Sequence, residues 1–137
     1  MEFISAESFL AFLAHVGTGL GLIALGLVAF AFTTKFSEWE LIKAGNIAVA
    51  LKLWGKVIGL AITLYTVWSG SVSLLDAFIW GLIGIVTQVV VYFIIEYILT
   101  PKTDLAKKVE EGNTAVGFSL FAAGIIVGLV VAGSLTY

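Results

Sequence analysis

The sequence predicts an all-α integral membrane protein with four transmembrane helices, and three observations carry that prediction. Of its 137 residues, 61% are hydrophobic and only 12% charged, against about 45–50% and about 25% in an average soluble domain. Four apolar runs each reach the roughly 20 residues that a helix needs to cross the hydrocarbon core. Their short connections use up nearly the whole chain, which leaves a single membrane domain over residues 1–137. Buried strands do not fit, because the runs are too long and are not punctuated by turns. A membrane β-barrel would show alternating polarity instead.

The first span is expected from about Glu7 to Thr33. The leading segment MEFISAESFLAFLAHVG carries Glu2 and Glu7 where a signal peptide needs positive charge, and it has no short apolar core before a cleavage site. It is therefore expected to stay as the first span. The connection TKFSEWELIKAG is long enough for a short surface helix. Ser37 followed by Glu40 has the form of a capping box, and Trp39, Leu41 and Ile42 are expected at the membrane interface. Gly45 can end that helix in a left-handed conformation, and Asn46 can cap the second span, which runs to about Ser69.

The loop SGSVSL is tight, and the third span runs from about Asp76 to Thr100. Pro101 stops it because proline cannot continue a helix, and Asp104 is placed to start a short helix within PKTDLAKKVEEG. Gly112 and Asn113 then repeat the roles of Gly45 and Asn46, opening a fourth span from about Asn113 to Leu135.

That echo extends into an internal repeat. AGNIAVALKLWGKVI and EGNTAVGFSLFAAGI align without gaps, matching Gly45 with Gly112, Asn46 with Asn113, Ala48 with Ala115, Val49 with Val116 and Leu53 with Leu120. The expected unit is a helix pair used twice, over about 7–70 and about 76–137. All seven lysines lie in or beside the two longer connections, so these should be cytoplasmic and both termini should face outward. The two copies are then parallel, unlike the inverted repeats of many transporters.

Ionisable groups inside a span are costly and mark functional candidates. Lys52 and Lys56, four residues apart, share a helical face with Gly59, Thr63 and Thr66. Two readings stand: the lysines line a polar pathway, or their stems run back to the cytoplasmic headgroups. Glu96 falls at a depth similar to Lys52, so an interhelical ion pair and exposure to headgroup water are both open. Thr87 and Gln88 lie deeper and suit interhelical hydrogen bonds. His15 has no nearby carboxylate, so packing with a hydrogen bond is favoured over proton handling. Gly17 with Gly21, Gly55 with Gly59, and Gly124 with Gly128 have the spacing of close-approach faces.

Several classes are excluded. With no cysteine there is no thiolate metal site, thiol nucleophile or disulfide. The net charge of −2 and the lack of a long basic run argue against nucleic acid. No arginine, no metal-ligand cluster and no Ser/His/Asp set can be assembled, so neither an enzyme nor a cofactor or metal is expected.

SEWELIKAGNIAVAL, the Ser73, Asp76, Trp80 and Gly81 pattern of SLLDAFIWG, Gln88 in VTQVVVYF, and EGNTAVGFSLF together resemble the YjfL-like inner-membrane proteins of bacteria, domain of unknown function 350. The resemblance implies a four-span bacterial inner-membrane protein with a duplicated unit and no established activity. Lys52 and Lys56 depart from that pattern, which is largely apolar or small there. The leading functional expectation is an oligomeric channel or transporter for ions or small solutes, with Lys52, Lys56, Gln88 and Glu96 facing the inside of the assembly. The alternative is a non-catalytic envelope scaffold or stress-related membrane partner protein that binds a partner membrane protein or senses bilayer state, the connections centred on Trp39 and on Leu105 with Val109 docking to lipid or to another protein.

Overall fold

The computed structural model describes residues 5–34, 37–95 and 105–135. Its elements are α1 (Ala6–Phe32), α2 (Glu38–Lys43), α3 (Ile47–Gly70), α4 (Leu74–Phe93), α5 (Leu105–Glu110) and α6 (Thr114–Ser134). All described regular structure is helical. The four long helices have mean hydropathies of 1.8 to 2.5 over their most apolar windows, long and apolar enough to cross a membrane. The expected end of the third span at Thr100, the Pro101 stop and the Asp104 cap lie outside the described residues.

Side-chain caps set the starts of the long helices. Ser5, Asn46, Ser73 and Asn113 each accept a bond from the backbone N–H three residues on, at 3.0 to 3.1 Å, satisfying a donor that the helix itself leaves open. At α4 the device is reciprocal, because Asp76 Oδ2 also accepts from Val72 N at 3.3 Å. At α2 only half of the anticipated box forms. Ser37 Oγ accepts from Glu40 N at 3.4 Å, while the Glu40 carboxylate turns to Lys43 at 3.6 Å.

The two junctions after the short helices have matching geometry. Gly45 and Gly112 carry φ of +92° and +90°, a region that costs other residues about 1–2 kcal/mol. Asn46 N donates to Leu41 O and Gly45 N to Ile42 O; Asn113 N donates to Lys108 O and Gly112 N to Val109 O, all at 2.9 to 3.0 Å. Each is a complete Schellman closure, followed at once by an asparagine-capped helix.

Packing centres on α3, which buries eleven side chains or glycines, whereas α1 buries only Leu22, Gly26 and Phe30. The closest neighbours are α3 and α6. A Cβ on Gly117 would stand 2.6 Å from Ala48 Cα, one on Gly124 2.5 Å from Gly55 C, and one on Gly128 2.4 Å from Gly59 Cα. Paired positions rise together along both chains, so the helices run parallel with backbone against backbone, the small-residue packing of membrane helices. Gly55 and Gly59 meet Gly124 and Gly128 as the spacing suggested. Gly17 and Gly21 do not make such a face, since nothing lies within 4 Å of an added Cβ at either. On α1 the close approach falls instead at Gly26, where a Cβ would meet the Leu60 side chain at 2.3 Å.

The short helices pack inward more than expected. Leu41, Ile42 and Leu105 cover a cluster of Ala48, Val49, Val109 and Leu120. Val109 has no exposed surface, while Trp39 is 58% exposed. Only Trp39 of the anticipated interfacial and docking residues thus points outward, because an amphipathic six-residue helix buries its apolar stripe on the nearest helix ends.

A buried polar core along α3

The four-residue spacing of Lys52 and Lys56 puts both on the face of α3 that the other helices cover. Lys52 is 1% and Lys56 3% exposed, so neither stem runs out to the protein surface. The arrangement also departs from an assembly-lining role, since both lysines are enclosed within the chain.

Lys52 Nζ lies 4.0 Å from Glu38 Oε2. Glu38 is the first residue of α2, where the helix's amino end favours an acid, and its Oε1 accepts from Thr34 Oγ1 at 3.3 Å. The carboxylate that meets Lys52 therefore comes from α2. Glu96, the expected partner, lies outside the described residues. Sequence reasoning missed Glu38 because it sits in a connection that reads as solvent-facing; its position directly after the Ser37 cap was the available signal.

One turn further along α3, Lys56 Nζ stands 5.2 Å from the centre of the Tyr92 ring and 5.6 Å from that of Phe30. The two rings meet edge to face, 5.5 Å apart at 76°. A buried ammonium between two ring faces is a cation–π site, worth about 2 kcal/mol when desolvated. Tyr92 Oη donates to Gly124 O at 3.0 Å, which holds its ring against α3 and α6. Neither aromatic residue was picked out from sequence, where both read as ordinary apolar positions.

Gln88 lies one turn from Tyr92 on α4 and has no exposed surface. Neither its amide nitrogen nor its amide oxygen has a hydrogen-bond partner among the described residues. Leaving such a group unsatisfied costs about 1–3 kcal/mol, which makes this amide a candidate functional group. Gly84, one turn the other way, meets the Thr63 methyl at 3.0 Å from an added Cβ, which brackets Gln88 between the levels of Lys56 and Thr63. Thr63 Oγ1 lies 3.1 Å from Gly59 O and 3.4 Å from Gly128 O. Thr87 instead faces outward and bonds within its own helix, to Ile83 O at 2.8 Å.

At one end the stripe reaches Thr66, which lines a cleft of about 270 Å³ with Gly70, Ser71, Asp76, Trp80 and Leu135. His15 stands apart. Its Nδ1 donates to Ala11 O at 2.7 Å and its ring meets Trp68 edge-on, 6.4 Å between centres, an arrangement in keeping with packing.

Asn46 makes more contacts than its counterpart. Besides capping α3, its Nδ2 donates to Val109 O and Glu110 O, both at 3.1 Å, tying the start of α3 to the end of α5. Asn113 caps α6. No group of three potential metal ligands occurs among the described residues.

A family model described as Domain of Unknown Function (DUF350) matches residues 3–135. The chain is 34% identical over 122 residues to a UPF0719 transmembrane protein, YshE, of Bacillus subtilis (strain 168), covering 89% of this chain and 90% of that one. It is 30% identical over 131 residues to a UPF0719 inner membrane protein, YjfL, of Escherichia coli (strain K12), covering 96% and 97%. No solved structure matches.

Proposed function

The chain belongs to the DUF350 family, and from that premise we propose that this membrane protein moves small anions or protons along a line of polar groups enclosed within one chain. The observation that carries the proposal is Gln88, a fully buried amide on α4 with neither end hydrogen-bonded among the described residues, at the level of α3 between the buried Lys56 and Thr63. Such an amide offers a donor and an acceptor to a passing water, proton or ion. The line runs from Glu38 and Lys52, past Lys56 and Gln88, to Thr63 and Thr66. Helical rise makes Lys52 to Thr66 about 21 Å, two thirds of the roughly 30 Å hydrocarbon thickness. A fixed ammonium at Lys56 attracts anions and repels cations other than a transferable proton.

In this reading the chain sits in a bacterial inner membrane, as the YjfL relative's description has it. The two lysine-bearing connections face the cytoplasm, both termini face outward, and α2 and α5 lie at the headgroup level. The helix pairs 7–70 and 76–137 are copies of one unit, supported by the matched closures at Gly45 and Gly112. Polar function is asymmetric between the copies: the first supplies both lysines, which align with Ser119 and Ala123, and the second supplies Gln88. Enclosure within one chain removes the need for a homo-oligomeric ring. The scaffold alternative keeps one support, the exposed Trp39.

Purified protein in liposomes tests the proposal through chloride efflux and through pH-dye quenching under a potassium-set potential. Lys56→Met and Gln88→Leu are each expected to lower flux at least about tenfold, the effect of roughly 1.4 kcal/mol on a barrier. Absence of both fluxes, or fluxes indifferent to both substitutions, overturns it.

A further inference from the structure

We propose that the cleft at the far end of α3 is a binding site for a small organic ammonium ion. This inference is separable from the transport proposal, since the two share only Thr66 and concern opposite signs of charge. The cleft lies among the carboxy-terminal ends of α3 and α6 and the start of α4, and is lined by Thr66, Gly70, Ser71, Asp76, Trp80 and Leu135.

The balance of electrostatic features there favours a cation. The hydroxyl hydrogens are already committed, because Thr66 Oγ1 donates to Ile62 O at 3.2 Å and Ser71 Oγ donates to Val67 O. Each hydroxyl therefore turns lone pairs to the cleft. Asp76 Oδ2 accepts from Val72 N, and the carboxylate, which also lines the cleft, offsets the positive amino end of α4. The ends of α3 at Gly70 and of α6 at Ser134 bring two negative helix termini to the same place. The five lysines among the described residues, Lys43, Lys52, Lys56, Lys107 and Lys108, lie on α2, on α5 or in the first turns of α3, away from the carboxy-terminal ends of α3 and α6.

The nature of the cation follows from the donor set. A calcium ion takes about six to eight oxygen ligands, usually with several carboxylates, and among the described residues lining the cleft there is one, Asp76. Trp80, 42% exposed, adds an indole face, the strongest aromatic partner for an alkylammonium ion. The volume of about 270 Å³ falls just below the usual range for drug-sized ligands of about 300–1,000 Å³, which sets the scale at a small amine or a choline-sized ion.

The test is calorimetric titration of the purified full chain in detergent with n-butylammonium chloride and with choline chloride, against sodium chloride at matched ionic strength. Saturable binding of one or both ammonium ions is expected, weakened at least about tenfold by Asp76→Asn and about threefold or more by Trp80→Leu. Asp76 also closes the start of α4, so Thr66→Val, which leaves that closure intact, is measured alongside and is expected to weaken binding about threefold. Absence of saturable heat for either ammonium ion up to about 50 mM, equal binding of sodium, or affinities unchanged in Trp80→Leu and Thr66→Val would overturn the assignment.

Discussion

Replacing Gly124 by alanine tests the parallel contact at the centre of the fold. The added Cβ would lie 2.5 Å from Gly55 C, 2.6 Å from Gly55 O and 2.9 Å from Lys56 N. All three are backbone atoms, so no rotamer change relieves them. Restoring a contact of about 3.5 Å requires α3 and α6 to part by about 1 Å. That motion strains the Tyr92 to Gly124 and Thr63 to Gly128 hydrogen bonds and loosens packing on both sides. Overpacking of this kind costs about 1–3 kcal/mol. Alanine's higher helix propensity returns at most about 1 kcal/mol, so a net loss of about 1–2 kcal/mol is expected. For a chain of this size that corresponds to a melting point lower by about 3–8 °C. Gly17→Ala is the matched control, because nothing lies within 4 Å of its Cβ; it should leave the melting point unchanged or raise it. Thermal unfolding of both variants in one detergent, followed by circular dichroism, gives the comparison. Equal stability of the two variants, or a larger loss at Gly17, would refute the packing assigned to α3 and α6.

Two further sets of substitutions probe the junction and the buried pair. Asn46→Ala should cost about 2–3 kcal/mol and Asn113→Ala about 1 kcal/mol, since the first loses a cap and two cross-links to α5 while the second loses a cap; Asn46→Ser, which retains only the cap, should fall between them in urea or thermal melts. Lys52→Met strands the Glu38 carboxylate and is expected to destabilise by about 3 kcal/mol. Adding Glu38→Gln to that variant should recover at least about 1 kcal/mol, and a double-mutant cycle with no coupling would mean that the 4.0 Å approach carries no energy.

The spans were legible because hydropathy over about 20 residues is a one-dimensional property of the sequence. Their starts were legible where a cap is local: Asn46 and Asn113, each after a glycine, need only the next three residues to form their bonds. What escaped was whatever depends on a second helix. The spacing of Gly17 and Gly21 is identical to that of Gly124 and Gly128, yet only the latter pair has a helix laid against it. Leu41 and Ile42 read as interfacial and Val109 as part of a docking face because their helices are short and amphipathic, but the first turns of α3 and α6 lie near enough to cover them. Glu38 escaped for the same reason, since its burial is set by α3 and not by its own neighbours. Within the polar core, Lys52, Lys56 and Gln88 announced themselves as charges and amides in apolar runs. Tyr92 and Phe30 could not, because an aromatic residue in a membrane helix is the ordinary case.

The contact between α3 and α6 bears on how the protein is made. The third helix emerges early and carries two lysines that each oppose insertion into lipid by about 2.5–3.5 kcal/mol. The helix that lies against its glycine face is the last of the described elements to be synthesised. Between those two moments the half-made protein must hold α3 in place with α1, α2, the Glu38 carboxylate and, once they have emerged, α4 and α5. Biogenesis therefore has a vulnerable interval that closes only with the final helix. A nascent chain cut short before α6 should be a substrate for membrane quality control, even though every span it contains is already present.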